Sequence, residues 1–234
     1  MRRLSLLLLT VCFAAVVNAQ VDVTATGGTL NASYTTLKGA FDAINAGTHT
    51  GTITIGLSGN TTETAPAVLN ASGSGAASYT TISVSPTGGA ARSVSGAIVA
   101  GSPLIDFNGA DNVTVDGLNS GGNSLTIENT TVSATSGTST IRFIGGATGN
   151  TITNCSVKGA GTMSVATNGA TIFFSTDAVT ANGNDNNTIS NCDIGPSGAN
   201  LATKGILGNG STSTTAIGNS GIIITNNDIH DYFG

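Results

Sequence analysis

The chain of 234 residues contains no tryptophan, and aromatic side chains make up only 4% of it. Tyr34, Tyr79 and Tyr232 are its only tyrosines. Stacking platforms, the usual means of gripping sugar faces, are therefore scarce. Any ligand would have to be held by hydrogen bonds from Asn, Thr and Ser along a flat strand face. Charge is equally thin, at 8% of residues against ~25% in ordinary domains. Without Arg2 and Arg3, five basic side chains (Lys38, Arg92, Arg142, Lys158, Lys204) face twelve acidic ones, a formal charge of five minus twelve, or −7. Such a surface repels phosphate backbones, which argues against nucleic acid as a partner. Beyond residue 19 no uncharged apolar run reaches the ~18 residues a membrane span needs.

What is present begins with an address. Arg2 and Arg3 precede an apolar run from Leu4 to Val17, and Val17-Asn18-Ala19 is a small-residue cleavage site. Residues 1–19 read as a secretory signal peptide, so the mature chain is expected outside the cell or at its surface. Cys12 lies in that run, but Thr10-Val11 ahead of it fits a lipoprotein signal poorly. Low charge combines with a 39% hydrophobic share and 33 glycines. Ile, Val and Thr alternate between Gly, Asn and Ser turns, as many short strands require.

Two patterns repeat. Ile-x-Asn-x-x-Val/Ile occurs at Asn129, Asn154, Asn191 and Asn226, spaced 25, 37 and 35 residues apart. A period of 20–50 residues marks a solenoid. The pattern suits a strand, a corner at Asn and a second strand, with the four Asn side chains forming a buried ladder up the axis. Asn129 fits the register least well. A second motif precedes it in each coil, at Leu104–Phe107, Thr140–Phe143, Thr171–Phe174 and Lys204–Leu207, with Ile105, Ile141, Ile172 and Ile206 stepping by 36, 31 and 34 residues. Upstream, Leu37, Ala40, Phe41 and Ile44 trace one face of a short helix. Ser33 or Thr35 is placed to cap its start and Gly47 its end. Such a helix covers the first coil. The organisation expected is a leader at 1–19, a helical cap at 20–50 and a parallel β-helix of roughly five coils from 51 to 234.

This combination resembles the right-handed parallel β-helix of the pectin lyase-like superfamily. Tyr34-Thr-Thr-Leu-Lys-Gly-Ala-Phe-Asp-Ala-Ile44, Gly47-Thr-His-Thr-Gly-Thr-Ile-Thr-Ile55 and Gly59-Asn-Thr-Thr-Glu63 look like the N-terminal region of large secreted surface proteins of Bacteroidetes-type bacteria. The resemblance implies an all-β solenoid followed by further C-terminal domains. The β-strand pattern is still running at Tyr232-Phe-Gly234, and a truncated chain with an apolar end at Ile224, Ile229 and Phe233 is the matching expectation. The family's hydrolase branch shows adjacent Asp pairs, a Gly-His-Gly and an Arg-x-Lys. None of these occurs here.

Candidate ligand contacts remain. The outward position of the second motif reads Asp106, Arg142, Phe173 and Leu207 up the stack. The functional reading of Arg142 is a uronate-binding or catalytic arginine, and the structural one is an exposed ion pair with Asp106. Lys158 and Lys204 read as solvated strand-end residues, Lys204 being kept as a further candidate contact. Asp185, in Asn182-Gly-Asn-Asp-Asn-Asn187, is the nearest approach to a calcium loop but lacks EF-hand spacing. A polar turn is the favoured reading there, and no cofactor is expected. Cys155 and Cys192 occupy one slot of successive repeats. Stacked strands lie ~4.8 Å apart, wider than a disulfide's ~3.8 Å Cβ separation, so two buried free thiols are favoured. The connection from the Phe motif to the Asn motif lengthens through 8, 9, 15 and 17 residues up the stack, which can build one binding face. The sequence points to a surface, adhesion or glycan-contact module with a polysaccharide partner and no evident catalysis. The alternatives are the N-terminal part of an enzyme acting on an acidic polysaccharide and, from outward Thr151, Thr153, Thr188, Ser190 and Thr225, an ice-binding solenoid.

Overall fold

The computed structural model describes residues 19–176, 182–211 and 214–233. Most of the expected leader therefore lies outside the described residues. The rest forms an all-β parallel solenoid with a single α-helix among the described residues. β1 (Val21–Gly28) and β2 (Asn31–Tyr34) form an antiparallel hairpin, α1 spans Leu37–Asn45, and a three-beat rhythm then sets in. The first coil is β3 (His49–Leu57), β4 (Thr61–Thr62) and β5 (Ala67–Asn70). The second is β6 (Tyr79–Pro86), β7 (Ala91–Gly96) and β8 (Pro103–Asn108), and the third β9 (Val113–Asp116), β10 (Ser124–Ser133) and β11 (Ser139–Ile144). The fourth is β12 (Thr151–Thr153), β13 (Cys155–Gly161) and β14 (Ile172–Phe174), and the fifth β15 (Thr188–Ser190), β16 (Asp193–Pro196) and β17 (Ile206–Gly208). β18 (Ile223–Thr225) and β19 (Asp228–Ile229) open a sixth. The beats collect into three parallel sheets, and β1 and β2 extend the first as antiparallel strands.

The period of two in each strand sends alternate residues inward, and the register puts like on like. Ile55, Val84, Val115, Ile152, Ile189 and Ile224 form one column of the first sheet. In the third sheet Phe107 and Phe143 lie 5.2 Å apart, centroid to centroid, and Phe143 and Phe174 stack at 4.7 Å and 11°. Each such side chain, once buried, contributes ~1.5–3 kcal/mol. Ile152 and Ile189 are fully enclosed, whereas Ile224 is 47% exposed beside Ile229 and Phe233, which are 45% and 65% exposed.

The helix lies within the expected span, with Leu37, Ala40, Phe41 and Ile44 buried. Its cap is Thr36, whose Oγ1 accepts from Gly39 N, rather than Ser33 or Thr35. The hairpin ahead of it, unforeseen in the sequence, adds an edge to β3 that α1 alone would leave open. Glu63 then fastens helix to coil. Its buried carboxylate accepts from Leu37 N at 2.9 Å and Lys38 N at 3.1 Å, two amides that the first helical turn leaves without partners.

The asparagine ladder runs elsewhere than expected. Asn154, Asn191 and Asn226 do share one corner, but with φ of 55°, 53° and 54°. They are left-handed bend residues, half-exposed or exposed. Asn tolerates that conformation better than most residues. Asn129 is out of register altogether, pairing with Gly159 and bonding Ser139 O at the next corner. The buried ladder belongs to the asparagines at the start of the same strands. Asn150 Oδ1 accepts from Val113 N and Asn187 Oδ1 from Asn150 N, both at 2.9 Å, while their amides donate to Ala110 O and Ala147 O. A second rung joins Asn184 and Asn219.

Four stability outcomes follow in urea unfolding. Asn187→Leu, which strips two inter-coil bonds, costs ~1–3 kcal/mol, whereas Asn191→Gly is close to neutral because glycine accepts the left-handed bend. Glu63→Ala costs ~1–3 kcal/mol by orphaning two helix amides, that of Leu37 buried and that of Lys38 partly so. Thr61 sits beneath Val94 in the second sheet's core, and its Oγ1 has no hydrogen-bond partner. Thr61→Val is therefore expected to stabilise by ~1 kcal/mol, and a loss of stability would contradict the burial described.

Candidate functional site

The outward half of each strand gives the solenoid three long faces. On the third sheet the register aligns Val68, Asp106, Arg142, Phe173 and Leu207, as the sequence motif implied. The pair at its centre is not an exposed surface contact. Arg142 Nε donates to Asp106 Oδ1 at 2.9 Å and Nη2 to Oδ2 at 2.7 Å, with the two side chains only 23% and 7% exposed. Phe173 is 2% exposed, so its ring cannot serve as a platform for a ligand. The column is a closed, bidentate staple between neighbouring strands.

The other candidates are likewise spent inside the fold. Lys204 Nζ donates to the carbonyls of Ser164 and Thr167, closing a turn, and partial burial lowers its pKa. Asp185 Oδ1 accepts from Ser220 N at 2.7 Å and Ser220 Oγ at 2.9 Å, which makes it a corner residue. Among the described residues no three or more His, Cys, Asp or Glu side chains gather to hold a metal ion, and no helix is long and apolar enough to cross a membrane. Cys155 and Cys192 are buried free thiols. The hydrogen bond with Cys192, then burial, pushes the Cys155 thiol well up, away from the nucleophilic thiolate.

Neither histidine is placed as a general base. His49 is fully buried, its Nδ1 at 2.6 Å from Thr29 O and Nε2 at 2.7 Å from Tyr34 Oη. A carbonyl only accepts, so Nδ1–H donates to Thr29 O, and in that neutral tautomer Nε2 accepts a hydrogen bond from the Tyr34 hydroxyl. His230 bridges Asp193 and Asp231 on the second sheet. Each of the five Lys and Arg side chains beyond residue 19 is engaged. Lys38, Arg142 and Lys158 meet carboxylates, while Arg92 and Lys204 meet backbone carbonyls.

The first sheet differs. Thr24, Thr54, Ser83, Thr114, Thr151 and Thr188 stand on six adjacent strands in one unbroken outward column. Beside it run Thr153, Ser190 and Thr225, and Thr52 over Thr81. The strands that carry them lie ~4.8 Å apart and the columns ~6.6 Å apart, and Ser83 Oγ donates to Thr54 Oγ1 at 3.3 Å. Ser190 Oγ donates to Thr153 Oγ1 at 3.0 Å. The charges on these strands are Asp22, whose carboxyl is held below 3.8 by hydrogen bonds from Ser33 and Ser58, and Asp116, which accepts from Asn154 Nδ2 and Leu118 N. Sequence reading placed outward threonines on three coils only. The paired strands of the hairpin and the first coils extend the array, and pairing is what the sequence does not display. Chemically this is a flat lattice of donors and acceptors, with no nucleophile beside a base.

The chain matches no family model, no curated protein and no solved structure.

The Asp106–Arg142 staple can be weighed directly. A double-mutant cycle with Asp106→Ala and Arg142→Ala in urea is expected to return a coupling energy above the ~0.2–1 kcal/mol of exposed pairs. A value near zero would show that the two side chains act independently.

Proposed function

We propose that the protein is a secreted β-helix of pectin lyase-like architecture that works as a surface or adhesion module. It holds an extended, uncharged glycan against the outer face of the first sheet. The observation that carries this reading is the six-strand hydroxyl column, which presents one Thr or Ser hydroxyl per strand. A repeating polymer meets a repeating lattice, and many weak bonds add along it. The engagement of every basic side chain supports a neutral partner over an acidic polysaccharide, which would need free Arg or Lys. Among the described residues neither histidine is poised as a base, which favours binding over lyase or hydrolase chemistry.

A second reading rests on the same column. Threonines alternating with inward residues on β1, β3 and β12 (Thr24 and Thr26, Thr52 and Thr54, Thr151 and Thr153) widen the column locally, which also suits ordered water at an ice face.

Affinity electrophoresis through gels of neutral and uronate-containing polysaccharides separates these readings. Retardation by a neutral polymer is expected, with at least ~10-fold weaker binding, ~1.4 kcal/mol, in a Thr114→Arg/Thr151→Arg variant of unchanged melting temperature. Retardation by the uronate polymer alone, surviving that change, would overturn the proposal in favour of the enzyme reading. Inhibition of ice recrystallisation without glycan retardation would establish the second reading instead.

A further inference from the structure

The second sheet carries a polar cluster that the contact face does not use. β19 is held to β16 by two register pairs alone, Asp193 with Asp228 and Ile194 with Ile229. The first of these sets one carboxylate above another at the strand spacing, a repulsive arrangement. Two cations meet Asp193. Lys158 Nζ, one coil below, lies 2.6 Å from Asp193 Oδ1, and His230 Nε2, one coil above, lies 2.7 Å from the same oxygen. Ser156 Oγ donates to Asp193 Oδ2 at 3.1 Å. Asp231 takes a left-handed backbone, φ 56°, and its carboxylate returns to His230 Nδ1 at 2.8 Å.

Gly195 makes this convergence possible. It is the register partner of Lys158, and a Cβ there would stand 2.8 Å from the His230 ring and 3.2 Å from Lys158 Nζ. The charged groups facing His230 are thus Asp193 on β16, Lys158 on β13, and Asp228 and Asp231 on its own segment. With an imidazolium, three carboxylates meet two cations. With a neutral imidazole, they meet one.

We propose that Lys158, Asp193 and His230 form a proton-operated clasp that holds the segment around β19 against the fifth coil and loosens it as the medium becomes alkaline. The direction follows from the site's charges. Hydrogen bonds to Asp231 and Asp193 raise the His230 pKa above 6.5. Burial pushes Asp193 up, yet its bonds from Lys158 and His230 outweigh this and hold it below 3.8. The imidazolium's grip is complete below pH 6.5 and is lost as pH rises through the raised value. The segment so governed includes Tyr232, whose hydroxyl reaches Thr171 Oγ1, and Phe233, whose amide donates to Ala202 O.

Amide hydrogen exchange of the full chain tests this between about pH 5 and 8, after correction for intrinsic exchange. The reporters are Asp228 N and His230 N, which donate to Cys192 O and Ile194 O. Their protection is expected to fall severalfold towards the alkaline end, while the amides of β3 stay constant. His230→Lys, charged throughout, is expected to keep protection at both extremes, and His230→Gln to be low and flat. Should either substitution perturb folding, the imidazole resonance of wild-type His230 still decides. Its titration must lie above 6.5 and drop in Asp193→Asn. Protection independent of pH in the wild type, or a His230 titration unmoved by Asp193→Asn, would overturn the clasp.

Discussion

Parallel backbone ladders set adjacent coils ~4.8 Å apart, and nearly every other feature of this molecule answers to that spacing. At such a distance each side chain faces its counterpart in the next coil, so the chemistry of a position is multiplied up the axis. For apolar groups the multiplication is favourable: Ile152 stacks on Ile189 and Phe143 on Phe174 in the interior. For like charges it is unfavourable, and the sparse charge of the chain follows. Asp106 under Arg142 alternates in sign, and Asp193, in register with Asp228, meets Lys158 and His230.

The same spacing governs the corners. A strand that turns must find partners for its backbone groups within the next coil. Asn150 and Asn187 provide them, each accepting from the amide below and donating to a carbonyl beside it. The opposite corner needs a reversal of φ instead, and Asn154 and Asn191 provide that. Two asparagines four residues apart therefore do different work, one through its side chain and the other through its backbone. At the first coil, where no earlier strand exists, the hairpin of β1 and β2, helix α1 and the Glu63 carboxylate together satisfy groups that would otherwise be open.

The outer faces divide labour accordingly. The third sheet encloses Asp106 and Phe173, and the second gathers Lys158, Asp193 and His230 into one clasp. The first is left uncharged along a six-strand hydroxyl column. Threonine suits that position twice over, since its β-branch favours the strand and its hydroxyl remains available outward.

The solenoid was legible in the sequence because its causes are local and periodic. The spacing of Ile141, Ile172 and Ile206, and the stripe of Leu37, Ala40, Phe41 and Ile44, require only a count along the chain. Coil number, helix placement and the inward isoleucines follow from it. Which asparagine is buried does not, because Asn150 and Asn154 both fit a corner and only the neighbouring coil's open amide at Val113 distinguishes them. Asn129 repeats the motif but falls in a different register, set by pairing with Gly159. The candidate site was half visible for the same reason. Outward threonines could be read in three coils, but their continuation through Ser83, Thr54 and Thr24 depends on strand pairing, including an antiparallel hairpin outside the repeat. The sequence by itself determined the period, and with it the fold. Tertiary structure alone decided which polar side chains were consumed between coils and which were left to face solvent, because that depends on partners more than 30 residues away along the chain.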